Sequence, residues 1–85
     1  MKGRRIYPND DDQLSFAPGD YGKDVNGVWF GRPPDPDVHM GSFENHGVTE
    51  HEDGSISVLP SILIHKGQGR PEWHGFLERG IWRKA

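Results

Sequence analysis

Twelve glycines and seven prolines punctuate the 85 residues, and no segment between them sustains the 3.6-residue apolar period of an amphipathic helix. An interior glycine costs a helix about 1 kcal/mol and an interior proline about 3. Short extended segments joined by turns are what such a chain can build. The expectation is an all-β fold: a small antiparallel meander of about five or six strands, arranged as a sandwich or a partly open barrel, with little helix.

The turn signals place the strands. Ala17-Pro18-Gly19-Asp20 and Val25-Asn26-Gly27-Val28 are turn signals, and Val28-Trp29-Phe30 then reads as a short strand. Arg32-Pro33-Pro34-Asp35-Pro36-Asp37 then removes ladder donors and favours an extended loop. Residues 1–26 read as irregular, and the β core is expected over residues 44–83 of a single domain, 1–85. His46 to Glu52 and Ser55 to Leu59 flank Asp53-Gly54, a two-residue hairpin signal. That turn sets Glu52 opposite Ser55, His51 opposite Ile56, Glu50 opposite Ser57 and Thr49 opposite Val58. Thr49, His51, Ile56 and Val58 then share one face, and Glu50, Glu52, Ser55 and Ser57 the other. Pro60-Ser61 is expected to break the ladder before a third strand at 62–65. A fourth over 73–77 and a fifth over 81–83 follow, joined by a tight turn at Glu78-Arg79-Gly80.

Only 32% of the chain is hydrophobic, which allows a thin core, and a domain this small is often marginal alone. Disulfides, a metal or a partner chain are the usual supports. With no cysteine, disulfides and thiolate metal sites are excluded, leaving five histidines as possible ligands, self-association into a homo-oligomer, or a sheet relying on nine aromatic residues. The net charge of −3 is unevenly spread: residues 1–65 are acidic, whereas 66–85 carry Lys66, Arg70, Arg79, Arg83 and Lys84 against Glu72 and Glu78. A basic end on an acidic body suits an anionic ligand or head-to-tail association, or is ordinary solvated charge. No apolar run approaches the ~20 residues of a membrane span. After Arg4-Arg5, Pro8-Asn9-Asp10-Asp11-Asp12 interrupts any apolar stretch. A cytoplasmic location is the default.

Two segments carry a resemblance. Glu50-His51-Glu52-Asp53-Gly54-Ser55-Ile56-Ser57-Val58-Leu59-Pro60-Ser61-Ile62, followed by Trp73-His74-Gly75-Phe76-Leu77-Glu78-Arg79-Gly80-Ile81-Trp82, resembles a family of small proteins common in tailed phages and prophages, some of them labelled ammonia monooxygenases. Members share an acidic DG-[ST]-[IL]-[ST]-V-x-PS-[IL] segment and a terminal WHG-[FWY]-L-x-x-G-x-W segment. The resemblance covers about half the chain and implies a phage-like origin, with the host cytoplasm as location, more than an activity. Relatives often carry an N-terminal cysteine cluster that looks like a zinc knuckle. This chain has none, so no zinc chemistry carries over through it.

Four constellations remain. His65 and His74 flank the loop 66–72. In a hairpin centred near Gly69 they fall within one residue of direct opposition, and with His51, Glu50 or Glu72 they can hold zinc. The alternative is one histidine bonded to backbone and one solvated. His46, Glu50, His51, Glu52 and Asp53 look rich in ligands, but His46 and His51 differ by five and point to opposite faces of a regular strand. Trp29, Trp73, Trp82, Phe76 and Arg79 can stack on a base or clamp an anion, or the tryptophans can simply be the core. Lys66-Gly67-Gln68-Gly69-Arg70-Pro71 can cradle a phosphate through backbone N–H groups, but lacks the length and ending of a P-loop.

No Ser–His–Asp arrangement is recognisable. The expectation is therefore a non-enzymatic binding module for a host protein or a small anionic ligand such as a nucleotide, without a cofactor. Trp73, His74, Arg79, Trp82 and Arg70 would be its contact residues. A zinc-binding protein or metal-dependent enzyme using His65, His74 and His51 is the rival. Nucleic-acid binding through the basic end is disfavoured by the net negative charge.

Overall fold

A computed structural model describes residues 1–64 and 72–85. These residues form eight strands and no helix: β1 (Arg4–Ile6), β2 (Asp20–Lys23), β3 (Trp29–Gly31), β4 (Gly41–Ser42), β5 (Gly47–Glu50), β6 (Ile56–Ile64), β7 (Trp73–Glu78) and β8 (Ile81–Lys84). Two four-stranded sheets result, in the orders β1-β2-β3-β4 and β5-β6-β7-β8, and neither closes into a barrel. All pairings are antiparallel except β1 with β2, which run parallel with Arg4 opposite Asp20 and Ile6 opposite Gly22. The N-terminal 26 residues, expected to be irregular, thus hold two strands. Their pairing reaches across 16 positions, and no turn signal announces it.

The Asp53-Gly54 hairpin is one residue out of the expected register. Glu50 stands opposite Ile56, Thr49 opposite Ser57 and Val48 opposite Val58. The cause is the loop. Gly54 N–H donates to the His51 carbonyl and His51 N–H to the Ser55 carbonyl, so three residues, Glu52-Asp53-Gly54, make the connection, with Gly54 at φ +87°. This is a turn closed by a left-handed glycine, the usual three-residue hairpin. Val25-Asn26-Gly27 does the same between β2 and β3, with Gly27 N–H donating to the Asp24 carbonyl and Gly27 at φ +85°. A shift of one residue exchanges the faces. Val48 therefore joins Ile56 and Val58 against the core, whereas His51 bonds Ser57.

Pro60 does not end the ladder. β6 runs on to Ile64, and the register shift lies between Val58 and Ile62: Leu59, Pro60 and Ser61 oppose the single residue Phe76. Proline lacks the N–H that a regular ladder would need there, and an irregularity absorbs the loss.

The core contains Tyr21, Val38 and Phe43 from the first sheet and its loops, and Ile56, Val58, Ile62, Ile64, Trp73, Leu77 and Trp82 from the second. Trp73 and Trp82 meet edge to face, with centroids 5.4 Å apart and planes at 87°. Glycine makes the room. A Cβ at Gly3 would lie 2.7 Å from Trp82 Nε1, and one at Gly31 would lie 2.5 Å from Phe43 and 3.1 Å from Trp82. Trp82 of the second sheet thus seats in a glycine-walled slot of the first, and its indole N–H donates to the Gly19 carbonyl at 2.9 Å.

Candidate functional site

β1, β2, the β5–β6 loop and the β7–β8 turn converge on a recess of about 310 Å³ bordered by Lys2, Gly3, Arg4, Arg5, Tyr21, Asp53, Ser55, Arg79 and Gly80. Backbone bonds bring these elements together. Lys2 bridges Ile81, Gly3 N–H donates to the Gly80 carbonyl at 2.7 Å, and Gly80 N–H donates to the Ile56 carbonyl at 2.9 Å. Gly80 has to be glycine, because its φ is +77° and a Cβ would stand 2.7 Å from the Tyr21 hydroxyl. The turn is a two-residue one, Arg79-Gly80, between the paired Glu78 and Ile81. Both of its residues have positive φ, with Arg79 at 48°.

Four cations border the recess, and two of them are neutralised. Arg4 makes a two-pronged pair with Asp20, at 3.1 and 2.9 Å. The buried Asp20 also accepts from Ala17 N–H, and its hydrogen bonds and charge push the Arg4 guanidinium pKa up. Arg5 is only 12% exposed in its side chain. Its Nη1 donates to Glu50 and to the Gly54 carbonyl, each at 2.9 Å, while its guanidinium lies 4.5 Å from the Tyr7 ring centre and 4.7 Å from that of Trp29. Its Nε is buried with no hydrogen-bond partner among the described residues. The Arg5 hydrogen bond, with the charges of Arg5 and Lys23, holds the Glu50 carboxyl below its ordinary range despite some desolvation. Lys2 and Arg79, by contrast, make no ion pair with any described residue.

Asp53 is the one acid on the border. Ser55 holds it below the ordinary carboxylate range by donating its hydroxyl at 2.6 Å and its N–H at 2.9 Å to Oδ1. Burial first, and then the charge of Asp53, raise the Tyr21 phenol. The phenol therefore remains a neutral donor, and among the described residues its hydroxyl takes no partner. The recess thus offers two unpaired cations and one free O–H, without a nucleophile–base pair.

Of the described residues expected as contacts, Arg79 lies here, and Asp53 joins it from the ligand-rich stretch 46–53. Trp73 and Trp82 are buried in the core at 3% and 2% exposure. They also line a separate groove with Met1, Pro34, Asp35, Pro36 and Lys84. Their size, in a chain with so few apolar residues, is needed inside. His74 stands opposite Leu63, exposed, and shares a hydrogen bond with the Ser61 hydroxyl. His51 shares one with Ser57, so these two histidines take different serines along β6. His65, Arg70 and the loop 66–71 lie outside the described residues. Among the described residues no three histidine, aspartate or glutamate side chains gather as metal ligands would. Lys2, Arg4, Arg5 and Tyr21 were not legible as site residues, because the parallel β1–β2 pairing that delivers them is non-local. The only trace of it in the sequence is the Arg4-Arg5 pair, whose neighbours on a strand must point to opposite sides.

Among the described residues no helix is long and apolar enough to cross a membrane. Set against protein-family models, curated proteins and solved structures, the chain matches none of them.

Proposed function

We propose that this chain is a non-enzymatic binding module that takes a small anionic ligand in the recess between β1, β2 and the β7–β8 turn. The observation that carries the reading is Arg79. A two-residue turn with both φ values positive is the natural place for Asn-Gly, and a non-glycine side chain there bears a conformational cost. Arginine accepts that cost and borders the recess with Lys2 and the Tyr21 hydroxyl, neither arginine nor lysine having an ion pair among the described residues. Strain retained at a position whose charge has no structural use points to a contact made with something else.

The reading keeps the phage-like origin, and with it the host-cytoplasm setting, that the resemblance over 44–83 implies. The thin core supports self-association. Titration calorimetry with inorganic phosphate and pyrophosphate tests the site. Saturable binding is expected, weakening with salt and falling about tenfold or more in Arg79→Asn, since one charge-assisted hydrogen bond is lost. Unchanged affinity in that variant would exclude the recess.

A further inference from the structure

Resting on the anion reading above, we propose that the ligand is a nucleoside phosphate, with its phosphate in the recess and its base stacked on Tyr7. Tyr7 follows β1 directly and is 66% exposed. One face lies on the Arg5 guanidinium, 4.5 Å from the ring centre. Its hydroxyl end lies against Gly54, where a Cβ would stand 3.3 Å away. With one face covered by Arg5 and most of the ring still open, the other face meets solvent.

The position of this ring is what matters. Arg5 borders the recess, and Gly54 sits between Asp53 and Ser55, which border it too. Tyr7 is therefore a platform on the rim of the cationic recess, joined to it through the residue it stacks on. Arg5 is itself fixed, between Tyr7 and Trp29 and by Glu50 and the Gly54 carbonyl, so the platform is preorganised and loses little freedom on binding. Any base has a π-face that such a ring accepts. A phosphate alone would use Lys2, Arg79 and the Tyr21 hydroxyl and would leave this aromatic face idle. Asp53 on the same border disfavours a ligand that fills the recess with charge and suits one that is anionic at one end only.

The experiment compares adenosine 5′-monophosphate, ribose 5-phosphate and inorganic phosphate by titration calorimetry at one salt concentration. The wild-type chain should bind the nucleotide about tenfold or more tightly than ribose 5-phosphate, the contribution of one stacked base. Tyr7→Ala should erase that difference while leaving ribose 5-phosphate affinity unchanged, and Tyr7→Phe should retain it. Equal affinity for the nucleotide and ribose 5-phosphate in the wild type would overturn this inference and leave the anion site intact. No binding of any of the three would overturn both.

Discussion

Trp82 in β8 donates its indole N–H to the carbonyl of Gly19, just ahead of β2, at 2.9 Å. This bond and the glycine-walled slot around it lock the second sheet onto the first. A buried tryptophan truncated to alanine typically costs about 3–5 kcal/mol. Trp82→Ala should therefore leave little folded protein. Gly31→Ala, which forces a Cβ against Phe43 and Trp82, should cost about 1–3 kcal/mol by overpacking. Urea midpoints measured by tryptophan fluorescence check both, and a Gly31→Ala variant as stable as wild type would refute the slot.

Arg79 separates binding from stability. Arg79→Asn places the favoured residue in the β7–β8 turn and should hold or raise the melting temperature, gaining up to about 1 kcal/mol, while anion affinity falls. Gly80→Ala meets the Tyr21 hydroxyl at positive φ and should be destabilised by 1 kcal/mol or more, roughly the cost of alanine where φ is positive. Calorimetric melting of the pair decides the matter: a loss of stability in Arg79→Asn would mean that the arginine serves the fold.

Acid should weaken the protein through Glu50 and Asp53. Both carboxyls are held below their ordinary range in the folded state, by Arg5 and by Ser55 respectively. Their contribution is complete above the ordinary carboxylate range and is lost as pH falls through the depressed folded values. Melting temperature followed from neutral to strongly acid pH should drop along that limb. Glu50→Gln and Asp53→Asn should each start lower and show a shallower fall.

Tyr21 should report on Asp53. Burial and the carboxylate both raise the phenol, so stability tied to the neutral hydroxyl is present below the ordinary tyrosine value and is lost as pH rises through the folded one. Asp53→Asn removes the second cause and should move the Tyr21 ionisation midpoint downward. Tyrosinate absorbance, with Tyr21→Phe to assign the transition, reads the shift. An unmoved midpoint would mean that the two groups do not sense each other.

Much of the second sheet was legible in the chain, because its strands are joined by local turns whose residues declare themselves. The Arg79-Gly80 turn, β7 and β8 fall where the pattern of Trp73 to Arg83 puts them. The register at Asp53-Gly54 was not, since a two-residue and a three-residue loop use the same dipeptide and only the backbone bonds of His51 and Gly54 distinguish them. The first sheet was half hidden. β1 has three residues and a parallel neighbour, and parallel pairing leaves no turn in the sequence to find. The site suffered most from this. Arg79 could be named as a contact, but Lys2, Arg5 and Tyr21 join it only because β1 runs between β2 and the β7–β8 turn.

The Trp82–Gly19 bond spans 63 positions, and this separation governs how the protein is reached as well as how it is held. Loop-closure entropy has to be overcome before contacts that distant reward the chain, and domains dominated by them fold slowly for their size. The glycine slot has nothing to close around until β8 arrives, so the first sheet gains its core only together with the second. The two sheets should appear and vanish together, in a single exponential on the millisecond-to-second scale common to all-β domains, with the indole of Trp82 as the reporter on both.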